Sequence, residues 1–214
     1  MSETKLWDSA DCGAWHRALG SYEDVLRAQE VSGLEDLDCW YREELPGVLA
    51  SRTPPYVTRE ELVQVTRWKM KRGVWRQRNL LLVEANPEAE VEATSREAFA
   101  AVPDPRKPVS LLVRLGGVGP ATASGVLAAH SPEVYPFFDE LVAGQMPGLG
   151  EVAFTAPFYY RYAEMLRTRA MELNEACEHR EWTVNDVGQA LWAASGGKVV
   201  LAPKRSLLGR TPGT

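Results

Sequence analysis

Three groups of residues have types and spacings suited to chemistry on a polyanion. Gly116, Gly117, Val118 and Gly119 stand between two helical runs. Glycines without a Cβ let backbone amides approach a phosphate closely, and the N-terminus of the next helix adds partial positive charge. Val118 is expected to pack inward and hold the two helices at a fixed angle. Asp139 lies 20 residues beyond Gly119, directly after Pro136, Phe137 and Phe138. There a carboxylate either caps a helix or faces a ligand. Residues 67–78, RWKMKRGVWRQR, carry six bases and no acid, which suits phosphate contact.

Thr58 and Glu61 form a T-x-x-E capping box, so the basic segment sits at the end of a helix running to the Gly73 stop. On a helical wheel Leu62, Val65 and Trp68 make the inward stripe, and Lys69 and Arg72 fall in the same sector. Arg67 and Lys71 point the other way. Burying a cation without a partner costs several kcal/mol, roughly. Lys69 and Arg72 should therefore meet Asp139 or a phosphate, or lay their stems on apolar surface with their heads in water, or pair with the acidic N-terminal helices. Arg76 extends the basic face. Trp75 is a candidate for stacking on a base, and Trp40 and Tyr41 are candidate pocket walls. Core packing is the competing reading for all three.

The elements positioning these residues are helical. Periodicity predicts helices over Cys12–Arg27 and over Leu34–Leu45, the second ended by Glu44, Leu45 and Pro46. Asn86 and Pro87 read as N-cap and first turn of an acidic helix through Val102. After Thr155 and Pro157, the residues Tyr159, Ala163, Leu166, Ala170, Leu173 and Cys177 form one apolar stripe. Thr183 and Asp186 cap a last helix through Ala194. The fold class is all-α, with about ten helices in two lobes around a central helix-hairpin-helix at about 108–130. Residues 1–197 form a single helical unit, and 198–214 a basic tail expected to be disordered. The only strand candidates are short pieces such as Lys198 to Leu201.

The string L-x-G-V-G-x-x-T-A, with Leu115, Gly117, Val118, Gly119, Thr122 and Ala123, resembles the hairpin of the helix-hairpin-helix DNA glycosylase superfamily. Asp139 in the setting Phe138-Asp139-Glu140-Leu141-Val142 is similar to that superfamily's catalytic aspartate. The resemblance covers residues 108–142 firmly. It implies Asp139 as catalytic carboxylate and Gly117, Val118, Gly119 and Thr122 as phosphate-contacting residues, with DNA, or RNA, as partner. Two positions depart from it. Ala121 stands where members that also cut the DNA backbone have lysine, so no Schiff base forms at that site and the implied activity is monofunctional. Glu140 and Leu141 replace the usual Thr-His pair. Trp68-Lys69, Arg72-Gly73 and Arg76 further resemble the W-K-x-x-R-G-x-x-R segment of a eukaryotic family grouped near these glycosylases, which brings no activity with it.

Composition sets bounds. Hydrophobic residues make up 45% and charged residues 25% of 214 residues, as in globular proteins. The net charge of −5 excludes a generic polyanion binder. Residues 1–50 carry eleven acids against four bases, so the acidic N-terminal half is a candidate docking face for a protein partner. Cys12, Cys39 and Cys177 are far apart and odd in number, as are His16, His130 and His179. The reading is therefore no disulfide framework, no metal or iron–sulfur site, no cofactor and a reducing compartment. No secretory leader or membrane span is legible, so the expected location is nuclear or cytoplasmic. Three function classes follow: a monofunctional DNA N-glycosylase of base-excision repair, a catalytically inactive helix-hairpin-helix module that binds nucleic acid, or a protein scaffold.

Overall fold

The computed structural model describes residues 5–177 and 181–198. They form helices and connecting turns with no strand, as the all-α class requires. His179 and the tail beyond Lys198 lie outside the described residues.

Two helices occupy the centre. α5 (Arg59–Arg72) starts at the predicted capping box: Thr58 Oγ1 accepts from the Glu61 amide and Glu61 accepts from the Thr58 amide. Arg52 grips the same Glu61 with both terminal nitrogens. Leu62, Val65 and Trp68 are fully buried, each contributing about 1.5–3 kcal/mol of burial. α9 (Pro120–His130) is buried from Ala121 through Ala129, as befits a helix of small and apolar residues enclosed on all sides. The two approach closely at Gly125, where an added Cβ would lie 3.1 Å from Val65 Cγ1.

Around this pair pack α1 (Cys12–Gly20), α2 (Tyr22–Arg27), α3 (Leu34–Cys39), α4 (Leu45–Ala50), α6 (Gln77–Glu84), α7 (Glu88–Ala100), α8 (Lys107–Leu112), α10 (Glu140–Ala143), α11 (Ala156–Ala176) and α12 (Val184–Ala194). The α11 stripe from Tyr159 to Cys177 is buried throughout. Thr183 and Asp186 make the expected capping box on α12.

Four expectations are corrected. The helix over Cys12–Arg27 breaks at Ser21, after the weak helix former Gly20. The helix begun at Leu34 does not stop at Pro46. It passes through a π segment, Trp40–Glu44, into α4, a widened register that accommodates a residue lacking an amide donor. The N-cap of α7 is Pro87, not Asn86. Finally, Cys12 and Cys177 form a disulfide, with Cα atoms 5.6 Å apart, while Cys39 is free and exposed. The chain separation of 165 residues hid a pairing that depends on the start of α1 meeting the end of α11.

Candidate functional site

The last turn of α5 carries the site's charges. Trp68 is buried, stacks on Tyr41 at 3.6 Å between centroids, and donates from Nε1 to Asp38 Oδ1 at 2.7 Å. One turn later the Arg72 side chain is 3% exposed. Its Nη2 lies 3.3 Å from Asp139 Oδ2, its Nη1 3.6 Å from Asp38 Oδ1, and Nη1 also donates to Tyr22 Oη. The guanidinium lies over Trp192, 4.2 Å from the ring centroid, and its buried Nε has no acceptor among the described residues. Arg42 Nε completes the cluster, 2.9 Å from Asp38 Oδ2. Two arginines thus meet two aspartates, and the buried charges cancel. Burial works to raise the Asp38 carboxyl, but Arg42 and Arg72, with bonds from Trp68 and Tyr22, hold it below its ordinary range.

Asp139 is both an N-cap and a cavity residue. Its Oδ1 accepts from the Leu141 amide at 2.9 Å, and its Oδ2 faces Arg72. The two readings of this residue in the sequence are compatible in the structure.

The turn between α8 and α9 is shaped by glycine and clipped by an asparagine. Gly117 has φ +74°, and a Cβ there would lie 2.4 Å from Asn79 O and 2.9 Å from Leu82 Cβ. Both the backbone conformation and the contact with α6 exclude a side chain. Val118 is buried, as expected. Asn86 does not cap α7. Its Oδ1 accepts from the Gly116 amide at 2.8 Å, and its Nδ2 donates to Gly116 O at 2.9 Å. Gly119 is extended and N-caps α9; a Cβ there would meet nothing within 4 Å. Pro120 occupies the first turn, and the Ala121 amide that follows has no intrahelical acceptor.

These parts converge on a cavity of about 340 Å³ between the end of α5, the start of α9 and the start of α10. Lys69, Arg72, Arg76, Gly117, Gly119 and Asp139 all line it, joined by Asn79, Phe137, Phe138 and Phe154. Among the described residues Lys69 has no carboxylate within ion-pair distance. Burial, and secondarily Arg76, pushes its ammonium below the usual lysine range. Arg76 is exposed. Arg67 pairs with Glu84 and Lys71 bonds to Ser32 O, so both lie away from the cavity as the wheel predicted.

Three expected contacts fall elsewhere. Thr122 is 1% exposed, so its hydroxyl cannot reach a phosphate. Tyr41 is buried and donates to Gly125 O at 2.7 Å, and Trp40 is half-buried against the core. Neither Tyr41 nor Trp40 lines the cavity. Trp75 is 47% exposed, between the lining residues Val74 and Arg76, with Nε1 bonded to Gln77 Oε1. Sequence reasoning missed Asn86, whose position before proline pointed to a cap. It also missed Asp38, Arg42 and Tyr22, which carry no motif.

Among the described residues no group of His, Cys, Asp and Glu could hold a metal ion, and no helix is long and apolar enough to cross a membrane. Comparison with protein-family models, with curated proteins and with solved structures finds no match to this chain.

Proposed function

We propose that the cavity receives one nucleotide extruded from a nucleic-acid strand, and that Asp139 is the carboxylate of a monofunctional N-glycosylase reaction. The observation that carries this reading is the convergence of Asp139, Lys69, Arg72, Arg76 and the N-terminus of α9 on one cavity. Its volume is at the small end of ligand pockets, room for one nucleoside and not for a stacked pair, so a duplex must first give up its base. Gly119 and the free amide of Ala121 face a flanking phosphate, with Lys69 and Arg76 adding charge. Breaking the N-glycosidic bond develops positive charge on the sugar. Asp139, held in place by Arg72 and the Leu141 amide, lies across from it and either stabilises that charge or orients the attacking water.

A second reading, a binding module without catalysis, is favoured by the engagement of both Asp139 oxygens, one by Arg72 and one by the Leu141 amide. Affinity for a duplex with an abasic-site analogue against the intact duplex, across a range of salt, separates the two. The glycosylase reading expects tighter binding to the analogue, and base release that Asp139→Asn abolishes while leaving the fold intact. Equal, salt-steep binding to both duplexes assigns the module instead. Binding to neither removes the nucleic-acid reading and leaves the acidic N-terminal half as the place to seek a protein partner.

A further inference from the structure

The cavity has an apolar rim. Val74, Trp75, Leu81, Leu82 and Phe154 are each between 46% and 56% exposed, five of the eight large hydrophobic side chains that reach solvent among the described residues. Val74 and Phe154 line the cavity, and Trp75 follows Val74 in the loop between α5 and α6. Leu82 lies against the hairpin, its Cβ 2.9 Å from where a Cβ on Gly117 would stand. On the α6 wheel it neighbours the lining residue Asn79, with Arg78 between it and Leu81. Arg76 and Arg78 are exposed and have no carboxylate within ion-pair distance among the described residues.

An apolar rim interleaved with unpaired cations calls for an occupant that is both apolar and anionic. A duplex presents phosphates and sugars with its base faces stacked inside, so the arginines gain partners while the rim stays wet. An unpaired strand presents both, base faces that stack on aromatic and apolar side chains and phosphates alongside them. We propose that the cavity serves a single-stranded nucleic acid: bases flanking the received nucleotide stack on Trp75 and lie over Val74 and Leu82, while Arg76 and Arg78 take phosphates. The bond from Trp75 Nε1 to Gln77 Oε1 at 3.0 Å holds the indole by its edge and not by a face, as a stacking platform requires. The inference rests on the nucleotide reading of the cavity and narrows it to strands whose neighbouring bases are unpaired, from which a base is extruded at least cost. Duplex binding remains, through the arginines and the start of α9, and is weaker.

The test is fluorescence anisotropy of the full chain with a labelled oligothymidylate of about 15 nucleotides, within the span of single-strand sites, and with the same strand annealed to oligoadenylate. The expected result is that the single strand binds about tenfold or more tightly than the duplex. Trp75→Ala should weaken single-strand binding about fivefold to hundredfold, the loss of one stacked base, and leave duplex affinity within about twofold. Trp75→Phe should keep most of the wild-type affinity, and Leu82→Gln should weaken the single strand severalfold. Trp75 stands in an exposed loop, so urea unfolding of Trp75→Ala should match the wild type. Met171→Ala, which removes an exposed apolar side chain that does not line the cavity, should change neither affinity. Duplex binding equal to or tighter than single-strand binding overturns the inference and leaves the nucleotide reading of the cavity standing. A single-strand preference untouched by both Trp75→Ala and Leu82→Gln overturns the rim as its platform. Binding of neither probe removes both readings and gives the rim to another kind of partner.

Discussion

Arg72 Nη2 lies 3.3 Å from Asp139 Oδ2 and Nη1 lies 3.6 Å from Asp38 Oδ1, so one guanidinium ties the carboxylate of the cavity to a carboxylate buried behind it. The pairing is asymmetric. Asp38 keeps Arg42 if Arg72 is removed, whereas Asp139 has no second cation within ion-pair distance among the described residues. Arg72→Met should therefore destabilise the fold by about 3–5 kcal/mol, the usual cost of leaving buried charge uncompensated. Asp139→Asn should cost much less, because the amide oxygen still caps Leu141 and Arg72 retains Asp38 and Tyr22. Urea unfolding of the two variants gives the ranking, and equal losses would mean that Arg72 is not the hub of the cluster.

The same cluster sets an acid limit. The Asp38 carboxyl is held below its ordinary range against the pull of its burial, so folding binds fewer protons there than the unfolded chain does. Its contribution is fully present above the unfolded value of about 3.9 and is lost as pH falls below that toward the lower folded value. Asp38→Asn should lower stability near neutrality and flatten the fall as pH drops below about 4. Thermal melts across that range, wild type against variant, check both halves.

The two hairpin glycines should separate fold from binding. Gly117 has φ +74° and no space for a Cβ against Asn79 O; Gly117→Ala should cost about 2–4 kcal/mol. Gly119 is extended with nothing near its Cβ direction, so Gly119→Ala should cost under about 1 kcal/mol, the loss of a tolerable N-cap. The added methyl nevertheless stands at the cavity. Gly119→Ala should then weaken binding to an abasic duplex severalfold at nearly unchanged stability. Unchanged affinity would show that the N-terminus of α9 does not meet the strand.

Local physics was legible where one element carried it. The capping boxes at Thr58 and Thr183, the α11 stripe and the inward face of α5 follow from periodicity and caps, and the wheel placed Arg72 on the apolar face, where a partner or a snorkelling stem could hold it. What stayed hidden depends on elements remote in the chain. Asn86 looks like a cap because proline follows it, yet besides local bonds to Leu82 O and Val83 O it clips Gly116, 30 residues away. Cys12 and Cys177 carry no spacing signal, and Thr122 matches a hairpin pattern while α9 buries it on every side. Asp38 reads as one more acid in an acidic segment until Trp68, Arg42 and Arg72 are seen around it.

Salt dependence is the most direct test of which cations meet a strand. Each phosphate contact neutralised releases condensed counterions, so removing one should reduce the slope of log affinity against log salt by about 1. Arg76 and Lys69 line the cavity without carboxylate partners, whereas Arg67 is spent on Glu84. Arg76→Gln should reduce the slope by about 1 and Arg67→Gln should leave it unchanged. Lys69 discriminates further. If its amine meets phosphate as an ammonium, Lys69→Arg preserves the slope and Lys69→Met lowers it. If Lys69 does not meet the strand, Lys69→Met leaves the slope near wild type. Slopes for the four variants, measured on one abasic duplex, therefore show which cations of the cavity meet phosphate without any turnover being observed.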